Sequence, residues 1–201
     1  MKERTTIHSQ SSHAERQVHV MGRTQYYTAT SLDGFIATTE HSLDWLFSRD
    51  QDQDGPLNYA EFIAGVGALA MGSTTYEWIL DHESQGGTTV PTWGYDQPCW
   101  VFTHRDLPVV PGADVRFVRD EVTPVHAELV EAAGERNVWL VGGGDLVGQF
   151  ADAGLLDEVI VYVAPLTLGA GAPLLPRHVE LRLDEVARNR EFACARYSVV
   201  R

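Results

Sequence analysis

Short apolar blocks separated by Gly, Pro, Asp and Ser punctuate this chain, and their order predicts strands alternating with helices. Gln25–Thr30 is aromatic and β-branched and reads as a strand, with the turn Ser31-Leu-Asp-Gly34 leading out of it. Phe35-Ile-Ala37 is a short apolar continuation. The stretch 38–56 is acidic and loop-like, interrupted by the apolar bulk of Leu43, Trp45, Leu46 and Phe47. Asn58–Val66 reads as a helix, and Ala68–Met71 as a small buried strand ending at Gly72. Thr74–Leu80 begins a further helix with hydroxyl residues at its mouth, which suits N-capping. Asp81–Gln97 carries Gly86-Gly87, Pro91 and Trp93 and reads as a long mobile loop. Trp100–Thr103 and Asp114–Val118 are the next strands, and Pro124–Ala133 is a helix with Pro near its first turn. Strand Asn137–Val141 then runs into three glycines and the helix Asp145–Ala153. Glu158–Ala164 is apolar almost throughout, as expected of a strand covered on both faces. Leu181–Asn189 and Glu191–Val200 close the chain as an antiparallel pair. The sum is a three-layer α/β domain with a mostly parallel central sheet and a C-terminal antiparallel hairpin.

Composition narrows this little and charge narrows it more. The 201 residues suit one domain, placed at 22–201, with 1–21 a polar, aperiodic segment read as a flexible tail. That tail has no apolar core of a signal peptide, and no run in the chain approaches the roughly 18 apolar residues of a membrane span. Cys99 and Cys194 stand far apart, which argues against a disulfide framework or a metal site and for a cytoplasmic setting. A formal net charge of −13 argues against nucleic acid or a membrane as partner. A small anionic ligand stays compatible with it, provided its site is built from backbone N–H groups and a few placed cations.

The segment Val138-Trp-Leu-Val-Gly-Gly-Gly-Asp-Leu-Val-Gly-Gln-Phe150 offers such a site. Glycine permits positive φ and lets a ligand approach the main chain, while the following helix presents unpaired N–H groups and the positive end of its dipole. Gly142, Gly143 and Gly144, with Asp145 and Leu146 opening the helix, therefore read as a cradle for a diphosphate. A tight turn that merely packs helix on strand is the plainer alternative. The segment is neither the Rossmann fingerprint, with an acid about 20 residues on, nor a P-loop. Asp145 is expected to satisfy backbone donors at the helix start and turn away from a ligand.

Three segments resemble dihydrofolate reductases. Met71-Gly-Ser-Thr-Thr-Tyr-Glu-Trp-Ile79 is similar to their strand–Gly–helix segment, Val141–Phe150 to their Gly-Gly-Gly segment, and Trp100-Val-Phe-Thr-His-Arg105 to the strand end on the adenosine side of the cofactor. The chain more closely resembles the reductase domain of bifunctional riboflavin-biosynthesis deaminase-reductases and its stand-alone relatives. There Ser31-Leu-Asp-Gly-Phe-Ile-Ala37 matches the first strand and turn, and Ala164-Pro-Leu-Thr-Leu-Gly-Ala-Gly-Ala-Pro-Leu-Leu175 matches the Pro/Gly loop after the sixth strand. The motifs fall in the right order from Gly22 to the C-terminus, and nothing in the chain resembles the deaminase half.

The resemblance implies a dihydrofolate reductase-like fold, NADPH across the C-terminal edge of the sheet, and a homodimer. Gly72, Ser73, Thr74 and Thr75 would meet the diphosphate together with Gly142–Leu146. Thr103, His104 and Arg105 would meet the 2′-phosphate, a guanidinium being able to grip it with two parallel bonds. A surface acid is the competing partner for Arg105. Dihydrofolate reductases often carry an Arg where Ser73 stands. Asp33, the acid embedded in a family-like turn, is the candidate for substrate contact or proton supply, with a turn-capping role as its alternative. Phe35, Trp45 and Tyr59 are the candidate substrate contacts, the two latter as stacking platforms or core. Val147 stands where folate reducers usually have Tyr, and Phe35 where riboflavin-pathway enzymes tend to place a basic residue. The expected activity is NADPH-dependent reduction of a small heterocyclic or carbonyl compound. A pterin or pyrimidine-ribotide reductase, or an NADPH-binding module without turnover, are the alternatives.

Overall fold

The computed structural model describes residues 22–84 and 93–201. The tail 1–21 and the middle of the central loop, 85–92, lie outside the described residues. Eight strands form one sheet: β1 (Thr24–Ser31), β3 (Val66–Gly72), β4 (Cys99–Phe102), β5 (Val115–Val118), β6 (Asn137–Gly142), β7 (Glu158–Ala164), β9 (Leu181–Asn189) and β10 (Phe192–Val199). Their order is β5-β4-β3-β6-β1-β7-β10-β9. The strands from β5 to β7 run parallel, and β10 is antiparallel to both its neighbours. Two short strands, β2 (Phe35–Ala37) and β8 (Ala172–Pro173), pair apart from the sheet.

The period-2 alternation of strands explains why these segments are apolar on both sides. On β6, Val138 and Leu140 enter one cluster while Trp139 enters another. On β7, Val159 and Val161 face the first cluster, and Ile160 and Tyr162 face the opposite side. The helices α4 (Val122–Ala133) and α5 (Gly144–Asp152) cover one face with Val125, Leu129, Val147 and Phe150. The other face is covered by α3 (Ser73–Ser84) through Tyr76, Ile79 and Leu80. Beyond it the short helices α1 (Asp44–Phe47) and α2 (Tyr59–Ala64) and the loop between them bring Trp45 and Leu57 onto β7 and β10. Fully burying one side chain such as Phe150 contributes about 1.5–3 kcal/mol, so each layer is held by several such residues.

Several boundaries differ from the sequence expectation. The third helix begins at Ser73, directly after the strand, and runs to Ser84, so Asp81–Ser84 is helix rather than loop. The second ends at Ala64, where Gly65 closes it and the fully buried Val66 already belongs to β3. A helical turn at Asp44–Phe47 interrupts the acidic loop, and Trp45 anchors it. No helix among the described residues is long and apolar enough to cross a membrane.

Candidate functional site

At the C-terminal edge of the sheet β3 and β6 are neighbours, with Met71 opposite Gly142. The chain leaves β3 through α3 toward β4 on one side, and leaves β6 through α5 toward β7 on the other. The two helices pack on opposite faces of the sheet. Such divergence opens a crevice beyond the strand ends, the place where open α/β sheets take their ligands.

A cleft of about 510 Å³ lies there. Gly72 and Gly142–Gly144 form its base, and Ser73, Thr74, Thr75 and Trp78 of α3 form one wall. Asp145, Leu146 and Gln149 of α5 form the facing wall. Ile36 and Ala37 of β2, with Ala172 and Pro173 of β8, close it from above, and His41, Leu43 and Tyr95 complete the rim. The two glycine–helix segments, about 70 residues apart in sequence, thus open on one space.

The three consecutive glycines stand there for three different reasons. Gly142 has φ of +142°, a region that L side chains rarely adopt. A Cβ on Gly144 would lie 2.2 Å from the Pro173 carbonyl oxygen and 2.4 Å from that of Leu174, so this glycine lets α5 start against β8. A Cβ on Gly143 would meet nothing within 4 Å. Because Gly143 lines the cleft, a side chain there would occupy the space a ligand needs. Gly143 is also the N-cap of α5 and makes no side-chain cap bond, and the residues of the first turn, Gly144, Asp145 and Leu146, line the cleft.

Asp145 does not cap the helix as the sequence suggested. Its carboxylate accepts hydrogen bonds from Arg177 at 2.9 Å and from Gln149 at 3.1 Å. Arg177 and then Gln149 hold its pKa below the ordinary aspartate value. The same guanidinium reaches Asp152 at 2.8 Å, so Arg177 clasps two acids of α5 and is engaged by both. On α3, Thr74 and Thr75 lie inside the first turn rather than at the cap, and both residues line the cleft.

The adenosine-side candidates stand farther out. Phe102 is the last residue of β4 in the cleft wall; Thr103, His104 and Arg105 follow it outside that wall. Thr103 Oγ1 accepts from the Arg105 N–H at 2.9 Å. The Arg105 guanidinium makes a two-pronged pair with Glu77 of α3, at 3.0 and 2.6 Å. The surface-acid alternative is therefore what the structure displays, with Glu77 as the acid.

The substrate-side candidates need correction. Asp33 is not in the cleft: its carboxylate accepts from the Ser31 hydroxyl at 2.6 Å and from the N–H groups of Leu168 and Gly169 at 3.0 and 2.7 Å. These donors, the Ser31 hydroxyl first, lower its pKa, which suits a clamp and not a proton donor. Asp33 ties the first turn to the Pro/Gly loop, so two of the recognised motifs are partners of each other. Trp45 is a core residue, packed with Leu57, Ile160, Tyr162 and Phe192. Phe35 pairs with Pro173 in the small ribbon, and alternation sends its neighbour Ile36 to the cleft instead. Tyr59 packs on Tyr27 and Trp139 and bonds the hydroxyl of Tyr95, reaching the cleft only through it.

Sequence reasoning missed His41, Leu43, Trp78, Tyr95, Thr28 and Gln149. Trp78 and Gln149 carried a readable signal, since each lies four residues after a cleft residue, Thr74 and Asp145, on the same helix face. His41, in a loop at φ of +61°, carried none.

The sequence profile of the RibD C-terminal domain matches residues 79–192. The uncharacterized protein YwjB of Bacillus subtilis is 33% identical over 170 residues, covering 80% of this chain and 88% of that protein. The riboflavin biosynthesis protein RibD of Mycobacterium tuberculosis is 31% identical over 152 residues, 70% of this chain but 41% of that longer protein. Among solved structures, a Shewanella sp. PV-4 protein named for riboflavin biosynthesis superimposes with a TM-score of 0.73 at 25% identity, over 89% of this chain and 99% of its own. The Thermotoga maritima deaminase/5-amino-6-(5-phosphoribosylamino)uracil reductase, at TM-score 0.59 and 14% identity over 90% of this chain and 57% of its own, shares the fold. A profile that spans more than half the chain and relatives that run along most of it agree with the crevice at the β3–β6 divergence: the chain belongs to the RibD C-terminal domain family and has its dihydrofolate reductase-like fold.

Proposed function

We propose that this protein is an NADPH-dependent reductase that delivers hydride to a small heterocyclic or carbonyl compound. One observation carries the reading: two helix N-termini, each begun by a glycine at a strand end, open on the same cleft. Main-chain N–H groups at such ends bind diphosphate without basic side chains, which an acidic body requires. The residues fit the coenzyme, because Gly143 leaves open the space where a side chain would stand. NADPH held there supplies the hydride. The chain's own work is to fix the diphosphate at Gly72–Thr75 and Gly142–Leu146, and to exclude water under the β2–β8 ribbon. Arg105, released from Glu77 and supported by Thr103 and His104, would grip the 2′-phosphate.

The family itself favours a second reading, reduction of a pyrimidine ribotide, as in the riboflavin biosynthesis proteins it resembles. Both readings share the coenzyme. A homodimer belongs to the proposal as well. Its support is the outermost strand β9, whose Leu181, Leu183 and Val186 are exposed beside an unpaired strand edge.

Calorimetric titration with NADPH and NADH tests the coenzyme. NADPH is expected to bind more tightly, and Arg105→Ala to weaken NADPH at least tenfold while changing NADH less than twofold. Equal losses for both nucleotides would remove Arg105 from the site. No association of either at millimolar concentration would remove the coenzyme. Tight binding without oxidation across a broad carbonyl and heterocycle panel would favour a binding module.

A further inference from the structure

A second recess of about 310 Å³ joins the cleft, sharing His41, Leu43 and Trp78 with it. Its floor is aromatic. Phe47 stacks on Trp78 with ring centroids 6.0 Å apart and nearly parallel planes, and His82 stacks on both at 4.7 and 5.1 Å. Phe47 is nonetheless 59% exposed, so part of its ring stays open to the recess it lines. The walls are acidic: Glu40, Asp44 and Asp81 line the recess. The Thr39 hydroxyl donates to Glu40, with further backbone support, and lowers its pKa, so this wall keeps its negative charge.

Lysine and arginine side chains are scarce in the same region. Arg49 is the only Lys or Arg between Arg23 and Arg105, and it pairs with Glu191. Arg177, across the cleft, is engaged by Asp145 and Asp152. Arg105 is paired with Glu77 of α3. A phosphate on a substrate in this recess would therefore face three carboxylates with no Lys or Arg beside them, only the imidazoles of His41 and His82, and like charges at such range oppose binding.

We infer that this recess is the substrate chamber of the reductase and that it takes a flat, unphosphorylated ring compound, neutral or cationic, laid on the Phe47–Trp78 stack. The inference rests on the coenzyme reading above and excludes the ribotide reading. Helix ends hold the charged coenzyme on one side of Trp78; aromatic faces and carboxylates hold the unphosphorylated ring on the other. The chamber selects by stacking and by repulsion, a way of rejecting a close analogue as well as attracting the right one.

Riboflavin and its 5′-phosphate form a matched pair of probes, read by quenching of flavin fluorescence on the full-length protein. Riboflavin is expected to bind at least tenfold more tightly than the phosphate. The Asp44→Asn/Asp81→Asn double variant should narrow that ratio to threefold or less, and Phe47→Ala should weaken both probes at least fivefold. All three side chains are exposed, and the melting temperature of each variant checks that it is folded. Equal binding of the two probes, or a ratio untouched by the double variant, overturns the proposed chamber. Calorimetry with NADPH on the same samples separates the two levels: normal NADPH binding with no discrimination between probes sinks the chamber alone. Discrimination without NADPH binding sinks the reductase and with it the chamber's catalytic role.

Discussion

Two adjacent glycines make opposite predictions at the scale of single residues. Gly143→Val adds a side chain to open space at an extended backbone position, so the melting temperature should hold within a few degrees while coenzyme affinity falls at least tenfold. Gly144→Ala drives a methyl group into two carbonyl oxygens and should cost about 1–3 kcal/mol of stability, measured by urea unfolding. If both variants lose only stability, the glycines serve packing and the cradle is an illusion. Asp33 yields a pH prediction. Its folded pKa is depressed, so its bonds stabilise the protein fully above the ordinary value of 3.8, and that contribution disappears as pH falls through the lower folded value. Asp33→Asn should therefore melt below the parent at pH 7, with the gap closing below pH 3.8. A gap that persists in acid would show the carboxylate charge to be irrelevant. The bond pattern of Asp33 was half legible: Asp before Gly in a turn is a capping signature, yet nothing local pointed to Leu168 and Gly169.

At the scale of elements, the strands and helices followed from periodicity wherever the segment's own pattern decided them. Glu158–Ala164 is apolar on both faces and became the strand covered from both sides. The third helix runs on to Ser84, past its expected end at Leu80, and Ile79 and Leu80 anchor in the core the turn from which it continues. The strand β9 carries a prediction of its own. Leu181, Leu183 and Val186 align with Val199, Tyr197 and Ala195 on β10, an apolar strip at the sheet's last edge. Val186→Lys is expected to shift the protein from dimer to monomer by light scattering, with its circular dichroism unchanged. A monomeric parent would remove the dimer.

The whole molecule adds its charge. A body of net charge −13 that binds an anionic nucleotide through main-chain N–H groups should do so against its own long-range field. Raising ionic strength from about 20 to about 200 mM shortens the screening length toward 10 Å or less and relieves that repulsion. NADH, free of any 2′-phosphate contact, should then bind as well or better in salt. An affinity that falls steeply with salt would reveal a site built from cations.

The chain's order of residues determined the elements, the three-layer arrangement and the two glycine–helix segments, because these depend on short-range period and backbone freedom. Tertiary structure alone decided that the segments meet at the β3–β6 divergence, that Glu77 takes Arg105, that Trp45 belongs to the core, and that His41 and Trp78 join cleft to recess. Those facts follow from strand order and crossover direction. Strands apolar on both faces carry no local mark of which neighbour they will take, so side chains distant in sequence acquire their partners only when the sheet assembles.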